Sequence, residues 1–533
     1  MLLRSTIKSQ LKGSYKLSPS PLVSTPFALS SRQFISNSPN LERRDQRASA
    51  DPAESADATA TILADTMDFT KRIQPNNDKL PNKATWWDAL CEKEKHTAAG
   101  KQLDSYSYQS VGPTAVSERT PDDSFSYLSL PFKDDVWLRD SYINAAGRLR
   151  VGQLFQDLDA LAGVVGYRHC YPSTPVNVTA SVDRVYMVKK VDEIHKYNFV
   201  IAGSVTWTGR SSMEISVKGY AYEGELPKSI TKKVLQDQAD KCFLTANFTF
   251  VARNPETHKA FPINHLLPTT EAEWIEFKRA ESHNIAKKLR AKMDSLDKVP
   301  PTEAESKMIH NLYTTGKIMN KNADLPPKNL VLMKDTIISS TLFMQPQYRN
   351  RHSYMIFGGY LLRQTFELAY CAAGNFSRAN PRFVSLDTTT FKAPVPVGSV
   401  LFMDASICYT EHIHEKDEDA PSMANLNSLI PDYDTSANRI SSDEHEFLST
   451  PGTLVQVKVD TKIRSLSDDK LKESGTFVYS FYVPRDGSGQ FDKPGYCSVL
   501  PQTYSEMMDY LEGRRRAIDT AKYADQIRIG QHD

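Results

Sequence analysis

The chain has 533 residues, of which 40% are hydrophobic and 24% charged, and its formal net charge is +1. This composition predicts a globular protein of about three domain-sized units and excludes collagen-like, wholly disordered and disulfide-scaffold classes. The balanced charge provides no overall field for nucleic acid, and no apolar run approaches the ~18 residues of a membrane span. The six scattered cysteines predict reduced thiols. We expect no nucleic-acid partner, membrane span, metal or cofactor.

Residues 1–41 contain no Asp or Glu and are rich in Ser and basic residues. This composition is typical of a mitochondrial transit peptide, because the membrane potential draws a cationic presequence inward. Residues 32–36 (RQFIS) resemble a matrix processing site with cleavage after Phe34. The sequence therefore predicts a mitochondrial, matrix protein, and an ordinary disordered tail is the alternative.

The first core signals follow a polar N-terminal extension at residues 42–124. Residues 125–130 alternate as a half-buried strand, and residues 152–167 form a helix with one apolar face. Strand-like runs continue to residue 251. The charged stretch at residues 256–326 is predicted as a helical connector, with a capping box at residues 270–273.

The same pattern then returns: a helix at residues 358–373 is followed by strand-like runs as far as residue 483. Asn144 precedes Gly152 by eight residues, as Asn350 precedes Gly358. These matches predict a tandem duplication. We predict that the first unit covers residues 125–255 and that the second covers residues 327–485. The second unit contains an acidic insertion at about 411–450, and residues 486–533 form a C-terminal tail.

One helix against several antiparallel strands, present twice, predicts an α+β fold of tandem hotdog domains. Each domain would have a long central helix wrapped by a curved antiparallel sheet. The phosphate loop, the GxSxG elbow, HExxH and GxGxxG are all missing from the sequence, which argues against NTPases, esterases of the α/β-hydrolase type, zincins and Rossmann dehydrogenases. His412 and His414 in the insertion lack a partner at metal-ligand spacing, so a solvated loop is favoured there.

Several stretches are more specific than this general pattern. Residues 138–142 (LRDSY), 148–162, 345–350 (QPQYRN) and 356–361 (IFGGYL) resemble the mitochondrial acyl-CoA thioesterase 9 family. Residues 158–170 (LDALAGVVGYRHC) resemble the helix of the related cytosolic double-hotdog thioesterases. The resemblance implies hydrolysis of acyl-CoA to free acid and CoA, and an assembly of double hotdogs into trimers.

In that family the site spans two hotdog units. A helix carboxylate of one unit acts as base or nucleophile, and a loop Asn of the other unit positions water or the thioester. Carried over, Asp159 takes the carboxylate role and Asn350 the Asn role. Ungapped counting from the glycine would instead select Arg351, and His352 is a nearby competitor.

The residues around Asp159 support its assignment independently. Its neighbours one helical turn away include Phe155, Gln156 and Ala162, with no cation among them. An unpaired carboxylate at the edge of an apolar face should have a raised pKa and be able to deprotonate water. A surface carboxylate, or one bonded to the sheet backbone, is the alternative.

A second composite site would combine Glu367 with Asn144. Glu367 is predicted as the counterpart of Asp159, but Arg363 at i−4 offers it a plain intrahelical ion pair. Three glycines open the two helices, where backbone N–H groups could stabilise the developing oxyanion. They are Gly152, Gly358 and Gly359. His169 is a possible base or a structural residue.

Two other functions stay open at the level of sequence. A non-catalytic acyl-CoA-binding or structural hotdog protein would make Asp159 incidental. A hotdog hydratase would need an Asp and a His in a DxxxxH element, and none lies near Gly152 or Gly358.

Overall fold

The computed structural model describes most of the chain from residue 86 onward. The described residues are 86–100, 112, 115–254, 257, 259–293, 299–321, 330–350, 354–387, 389–413, 452–466, 470–484 and 497–532. The predicted transit peptide, most of the acidic insertion, and Arg351 and His352 lie outside these ranges.

The first repeat is preceded by helix α1 (Trp86–Ala98) and built around one long helix. Its elements in chain order are β1 (Glu118–Arg119), α2 (Pro121–Ser124), β2 (Ser126–Leu130), α3 (Val136–Ser141), α4 (Val151–Cys170), β3 (Val176–Met187), β4 (Asn198–Thr208), β5 (Ser212–Tyr222), α5 (Lys232–Gln236), β6 (Cys242–Arg253), β7 (His265–Leu266) and α6 (Glu271–Met293). A further helix, α7 (Glu303–Lys321), leads to the second repeat.

The second repeat follows the same order of elements. It consists of β8 (Leu330–Leu332), β9 (Ile338–Phe343), α8 (Gly358–Ser377), β10 (Arg382–Leu386), β11 (Thr389–Thr390), β12 (Val400–Ile413), β13 (Gly452–Arg464), β14 (Lys472–Pro484), β15 (Ser498–Leu500) and α9 (Tyr504–His532).

The central helix α4 is buried because apolar side chains return every three to four residues. Leu154, Leu158, Leu161 and Val165 are all at most 1% exposed. The helix packs on its own antiparallel strands and also against α8, the equivalent helix of the second repeat. The two helices thus form the centre of a shared hydrophobic core.

The strands of both repeats form one continuous sheet in the order β2-β4-β5-β6-β3-β10-β14-β13-β12-β9, with β11 also paired to β3. The repeats join through antiparallel pairing of β3 with β10, where Tyr186 faces Ser385 and Val185 faces Leu386. This architecture confirms the predicted α+β fold of tandem hotdog domains.

The duplication extends to single hydrogen bonds. The backbone N–H of Val205 donates to Ser124 Oγ at 3.1 Å, and that of Ile407 donates to Thr336 Oγ1 at 3.0 Å. Each of these backbone groups lies at a bulge in its strand, and bulges bend a sheet.

The repeats are longer than the sequence comparison detected. Both α6 and α9 pack against the outer surface of the sheet, on β4 and β12 respectively. Both also begin with the same capping arrangement: Glu273 accepts the backbone N–H of Thr270 at 3.3 Å, and Glu506 accepts that of Thr503 at 3.1 Å. Helix α6 of the predicted connector and helix α9 of the predicted tail are therefore equivalent parts of the two repeats.

The start of the predicted insertion needs correction. Glu411 and His412 lie near the end of strand β12 rather than in a loop, because they pair with Leu454 and Thr453 of β13. His412 is held by the hydroxyls of Thr453 and Ser498, at 2.9 and 2.8 Å. Among the described helices, none has the length and apolarity needed to cross a membrane.

Candidate functional site

Asp159 in the middle of α4 lies against the N-terminus of α8, the helix of the other repeat. The side chain is fully buried, and Thr179 Oγ1 donates a hydrogen bond to its Oδ1 at 2.9 Å. A Cβ atom built on Gly358 would lie 3.0 Å from Asp159 Oδ2. The glycine at the start of α8 therefore allows the helix terminus to approach the carboxylate closely.

The second carboxylate oxygen, Oδ2, is buried and has no hydrogen-bond partner in the part of the chain that the structure describes. Burial raises the pKa of Asp159 to about 7, while the Thr179 hydroxyl and the backbone N–H of Gly359 act in the opposite direction. A carboxyl group with this pKa is half-ionised near neutral pH and basic enough to accept a proton from water. The raised pKa agrees with the expectation from the sequence.

Asn350 lies in the loop that leads into the same helix terminus. Its backbone N–H donates to the carbonyl of Met355 at 2.8 Å, and Arg349 is bridged to Ile356. The loop of Asn144 closes in the same way, with Asn144 donating to the carbonyl of Arg148 at 2.8 Å.

These two loops differ in length by one residue, since five positions separate Asn144 from the bridged Leu149 and six separate Asn350 from the bridged Ile356. The one-residue offset found by ungapped counting therefore arises because the loop after Asn350 is one residue longer than the loop after Asn144. Asn350 and Asn144 occupy equivalent places.

Glu367 has a different environment at the N-terminus of α4. Arg150 Nε donates to its Oε1 at 2.8 Å, and both side chains are more than one-third exposed. A Cβ built on Gly152 would lie 2.8 Å from that same oxygen. The predicted intrahelical pair with Arg363 is wrong, because Arg363 Nη1 instead donates to Gln156 Oε1 at 3.2 Å.

The sequence suggested that Glu367 is the structural counterpart of Asp159, and this prediction is wrong. The bridged loops and the helix starts align Val151 with Gly358, which places Phe366 opposite Asp159 in the repeat. The ring of Phe366 packs among aromatic residues, with its centroid 5.4 Å from that of Phe155. Glu367 follows one residue later, where it turns toward Arg150.

Asn144 has a local structural role in its loop. Its Oδ1 accepts the backbone N–H groups of Ala146 at 2.9 Å and of Arg148 at 3.0 Å. An Asn oxygen committed to two backbone donors stabilises a turn. The geometry thus brings Gly358 and Gly359 to Asp159, and brings Gly152 and Arg150 to Glu367.

The other histidine candidate is structural. His169 is buried, its Nε2 bonds the carbonyl of Asn264 at 2.9 Å, and burial lowers its pKa. Sequence reasoning did not single out Thr179 or Arg150. Each acts through a contact between separate elements, and no local motif indicates such a contact.

A possible metal cluster of Asp183, Glu214 and His283 is present on the outer face of the sheet. The ammonium group of Lys287 contacts Asp183, and Arg279 Nη2 donates to Glu214 Oε1 at 2.8 Å. Because cations of α6 already neutralise both carboxylates, we interpret the cluster as an ion-pair network that fastens α6 to the sheet.

No model of a known protein family matches the chain. Comparison with curated proteins gives relatives with consistent names. The chain is 35% identical over 305 residues to the chloroplastic acyl-coenzyme A thioesterase 2 of Humulus lupulus, a match over 56% of this chain and 66% of that protein. It is 32% identical to the mitochondrial acyl-coenzyme A thioesterase 4 of the same plant, over 59% of this chain and 58% of the relative.

A third relative is matched over more of its length. The mitochondrial acyl-coenzyme A thioesterase 9 of Mus musculus is 28% identical, over 74% of this chain and 77% of that protein. Among solved structures, an apo-hexameric acyl-CoA thioesterase is 22% identical with a TM-score of 0.27, over 33% of this chain and 99% of the other. That superposition is too partial to define the fold, which the strand order and helix packing define by themselves.

The chain is a double hotdog in which a carboxylate of one unit lies at the helix terminus of the other. It is similar over about three quarters of its length to the mitochondrial acyl-coenzyme A thioesterases 9 and 10, at 26–28% identity. The resemblance predicted from the sequence motifs is thereby confirmed. The chain spans less than two thirds of the two plant relatives that it matches.

Proposed function

We propose that the chain hydrolyses acyl-CoA thioesters to a free carboxylic acid and CoA at the site around Asp159. The observation that carries the proposal is the buried Asp159, whose pKa is raised to about 7 and whose Oδ2 has no described hydrogen-bond partner. A base with this pKa combines a useful ionised fraction with strength as a proton acceptor at neutral pH. The names of the relatives supply the substrate class.

In the proposed reaction, the Asp159 carboxylate takes a proton from a water molecule, and the resulting hydroxide attacks the thioester carbonyl carbon. Negative charge then develops on the carbonyl oxygen. The N-terminus of α8 lies beside Asp159, so the helix dipole and the other backbone N–H groups of this terminus favour that charge. The C–S bond breaks, and the CoA thiolate leaves and takes up the proton that Asp159 accepted from water, which restores the base.

Asn350 is proposed to position the water or the thioester, since its loop enters the same helix terminus from the other repeat. The Asp and the Asn therefore come from different halves of the chain, and correct packing of α4 on α8 sets their alignment. Direct attack by Asp159 on the thioester is the nucleophilic variant of the same proposal. In that variant water hydrolyses an acyl-enzyme anhydride.

The test is incubation of the purified chain with an acyl-CoA series and measurement of free thiol. Thiol release that is lost in Asp159→Asn supports the proposal. Saturable binding of acyl-CoA without thiol release would instead support an acyl-CoA-binding protein. Addition of water to enoyl-CoA, seen as loss of its conjugated absorbance, would support a hydratase. The same series gives the acyl-chain preference.

We also propose that the protein acts in the mitochondrial matrix as a trimer of double hotdogs. The basic, acid-free composition of residues 1–41 and the names of several relatives support the location. Exposed Trp274, Ile275, Ile285 and Leu289 on α6 offer an apolar surface for assembly. Deletion of residues 1–34 should abolish import and preserve hydrolysis, and light scattering should give about three chain masses. A monomer mass, or import of the truncated chain, would contradict these proposals.

A further inference from the structure

A cavity of about 340 Å³ lies at the start of α4, on the side of Glu367. Three arginines, Arg148, Arg150 and Arg382, contribute to its lining. The rest of the lining is largely apolar and includes Val151, Met187, Val191, Phe366 and Phe383. A mainly apolar cavity with a few convergent charged groups is the usual form of a small-molecule site.

The charges of the lining do not balance. Glu367 is bound to Arg150 at 2.8 Å, and Asp192 is shared between Arg148 at 3.6 Å and Arg382 at 3.3 Å. Three guanidinium groups of the lining thus face two carboxylates, and Lys190, outside the lining, also contacts Asp192 at 3.0 Å. The resulting excess of positive charge favours an anionic ligand.

The volume indicates the size of the ligand part that the cavity can enclose. At about 30 Å³ for each water-sized group, 340 Å³ encloses roughly ten non-hydrogen atoms. The apolar part of the lining favours a hydrocarbon body, and guanidinium groups match the two oxygens of a carboxylate with parallel hydrogen bonds.

This cavity lacks a group suited to hydrolysis. Phe366 occupies the position equivalent to Asp159, and Glu367 is neutralised by Arg150. Asn144, the counterpart of Asn350, uses its side-chain oxygen for its own loop. The cavity lies where a second composite catalytic site would be expected, but its lining is that of a binding site.

We propose that the cavity is a second, non-catalytic site that binds a monocarboxylate with a short hydrocarbon chain of about eight carbons. The carboxylate lies among Arg148, Arg150 and Arg382, and the chain extends along Phe366 and Phe383. This is the chemical class of acid that thioester hydrolysis releases, so the site would respond to accumulated product. Binding itself is independent of whether Asp159 catalyses hydrolysis.

The experiment is calorimetric titration of the purified full chain with octanoate in the absence of any acyl-CoA. We expect saturable binding of one octanoate per chain at this site. Affinity should rise about fourfold for each added methylene from butyrate upward, until the cavity is filled. Octanamide, with the same body and no charge, should bind at least about tenfold more weakly.

Two variants locate the ligand, and one matched variant serves as control. Arg148→Gln removes a guanidinium from the lining and should weaken octanoate binding about tenfold or more. Ala145→Trp fills the mouth of the cavity from an exposed loop position and should abolish binding. Lys190 contacts Asp192 at 3.0 Å without lining the cavity, so Lys190→Gln should leave the affinity within about twofold.

Equal octanoate affinity in wild type, Arg148→Gln and Ala145→Trp would overturn the proposal, because the acid would then bind elsewhere, including the Asp159 site. Equal affinity for octanamide would also overturn it. Failure of acyl-CoA hydrolysis in the thiol assay would leave these titrations unaffected, so the two proposals fail separately.

Discussion

At the start of α8 the neighbouring acidic side chain is Asp159, which is fully buried and bonded to one hydroxyl group. At the start of α4 the neighbouring acidic side chain is Glu367, which is one-third exposed and bonded to Arg150. Both helix termini carry glycine, and both follow an Asn-containing loop. The two carboxylates differ in burial and in partner, and these differences decide which one can serve as a base. Similar sequence motifs in a duplicated chain therefore need not give two similar sites.

The largest expected effect comes from Asp159→Asn. The substitution keeps the volume and removes the base, so turnover should fall about 10²- to 10⁴-fold. Thiol release from acyl-CoA by the purified variant measures this loss. A well-folded Asp159→Asn protein with near-normal turnover would reverse the comparison and move the catalytic carboxylate to Glu367.

The same variant has a separate signature in stability. Because the pKa of Asp159 is raised to about 7 in the folded state, ionising the carboxyl costs stability as pH rises from about 4 through 7. Asp159→Asn removes that cost. Its free energy of unfolding should match the wild type below pH 4 and exceed it above pH 7, by up to about 4 kcal/mol. Denaturant unfolding at both pH values checks the sign.

Asn350→Ala is expected to have the second-largest effect on turnover, about tenfold, because it removes the proposed positioning group. Asn144→Ala is the matched control in the equivalent loop. It should lower stability by about 1 kcal/mol through the lost turn hydrogen bonds and change turnover little. Equal losses of turnover in the two variants would mean that both composite sites work.

Thr179→Val tests the local electrostatics around Asp159. The hydroxyl of Thr179 favours the ionised carboxylate, so its loss should raise the pKa of Asp159 further. Turnover at pH 7 should fall several-fold and recover as the pH is increased. Thr179→Ser keeps the donor and should behave like the wild type. A pH-independent loss in Thr179→Val would indicate a packing effect instead.

The smallest effect is expected for Glu367→Gln. The pair with Arg150 is partly exposed, and such pairs contribute only a few tenths of a kcal/mol. Turnover should stay within about twofold of the wild type, and the unfolding midpoint should change slightly. A large loss of turnover would show that the Glu367 interface is catalytic.

Much of the fold could be predicted from the sequence, because its signals are local. The apolar face of α4, the alternating strands and the capping box at Thr270 each lie within one element. The register between the repeats was harder to predict. The longer loop after Asn350 shifts the alignment by one residue, and this shift exchanges Glu367 for Phe366 as the counterpart of Asp159.

The partners of the carboxylates were also beyond local patterns. Arg363 at i−4 is the nearest cation to Glu367 on its own helix. Glu367 instead pairs with Arg150, which is 217 residues away in the sequence, because α4 packs on α8. The absence of a cation one turn from Asp159, in contrast, is visible in the sequence, and the raised pKa follows from it together with burial.

The pH dependence of kcat/KM for acyl-CoA hydrolysis tests the central claim most directly, since it reports the ionisation of the free enzyme. We expect an acid limb near pH 7 in the wild type, where Asp159 gains its proton, and an unchanged limb in Glu367→Gln. Activity should rise with pH through 7 and level off above it. An acid limb near pH 4, or a limb that moves in Glu367→Gln, would contradict the assignment of Asp159 as the base.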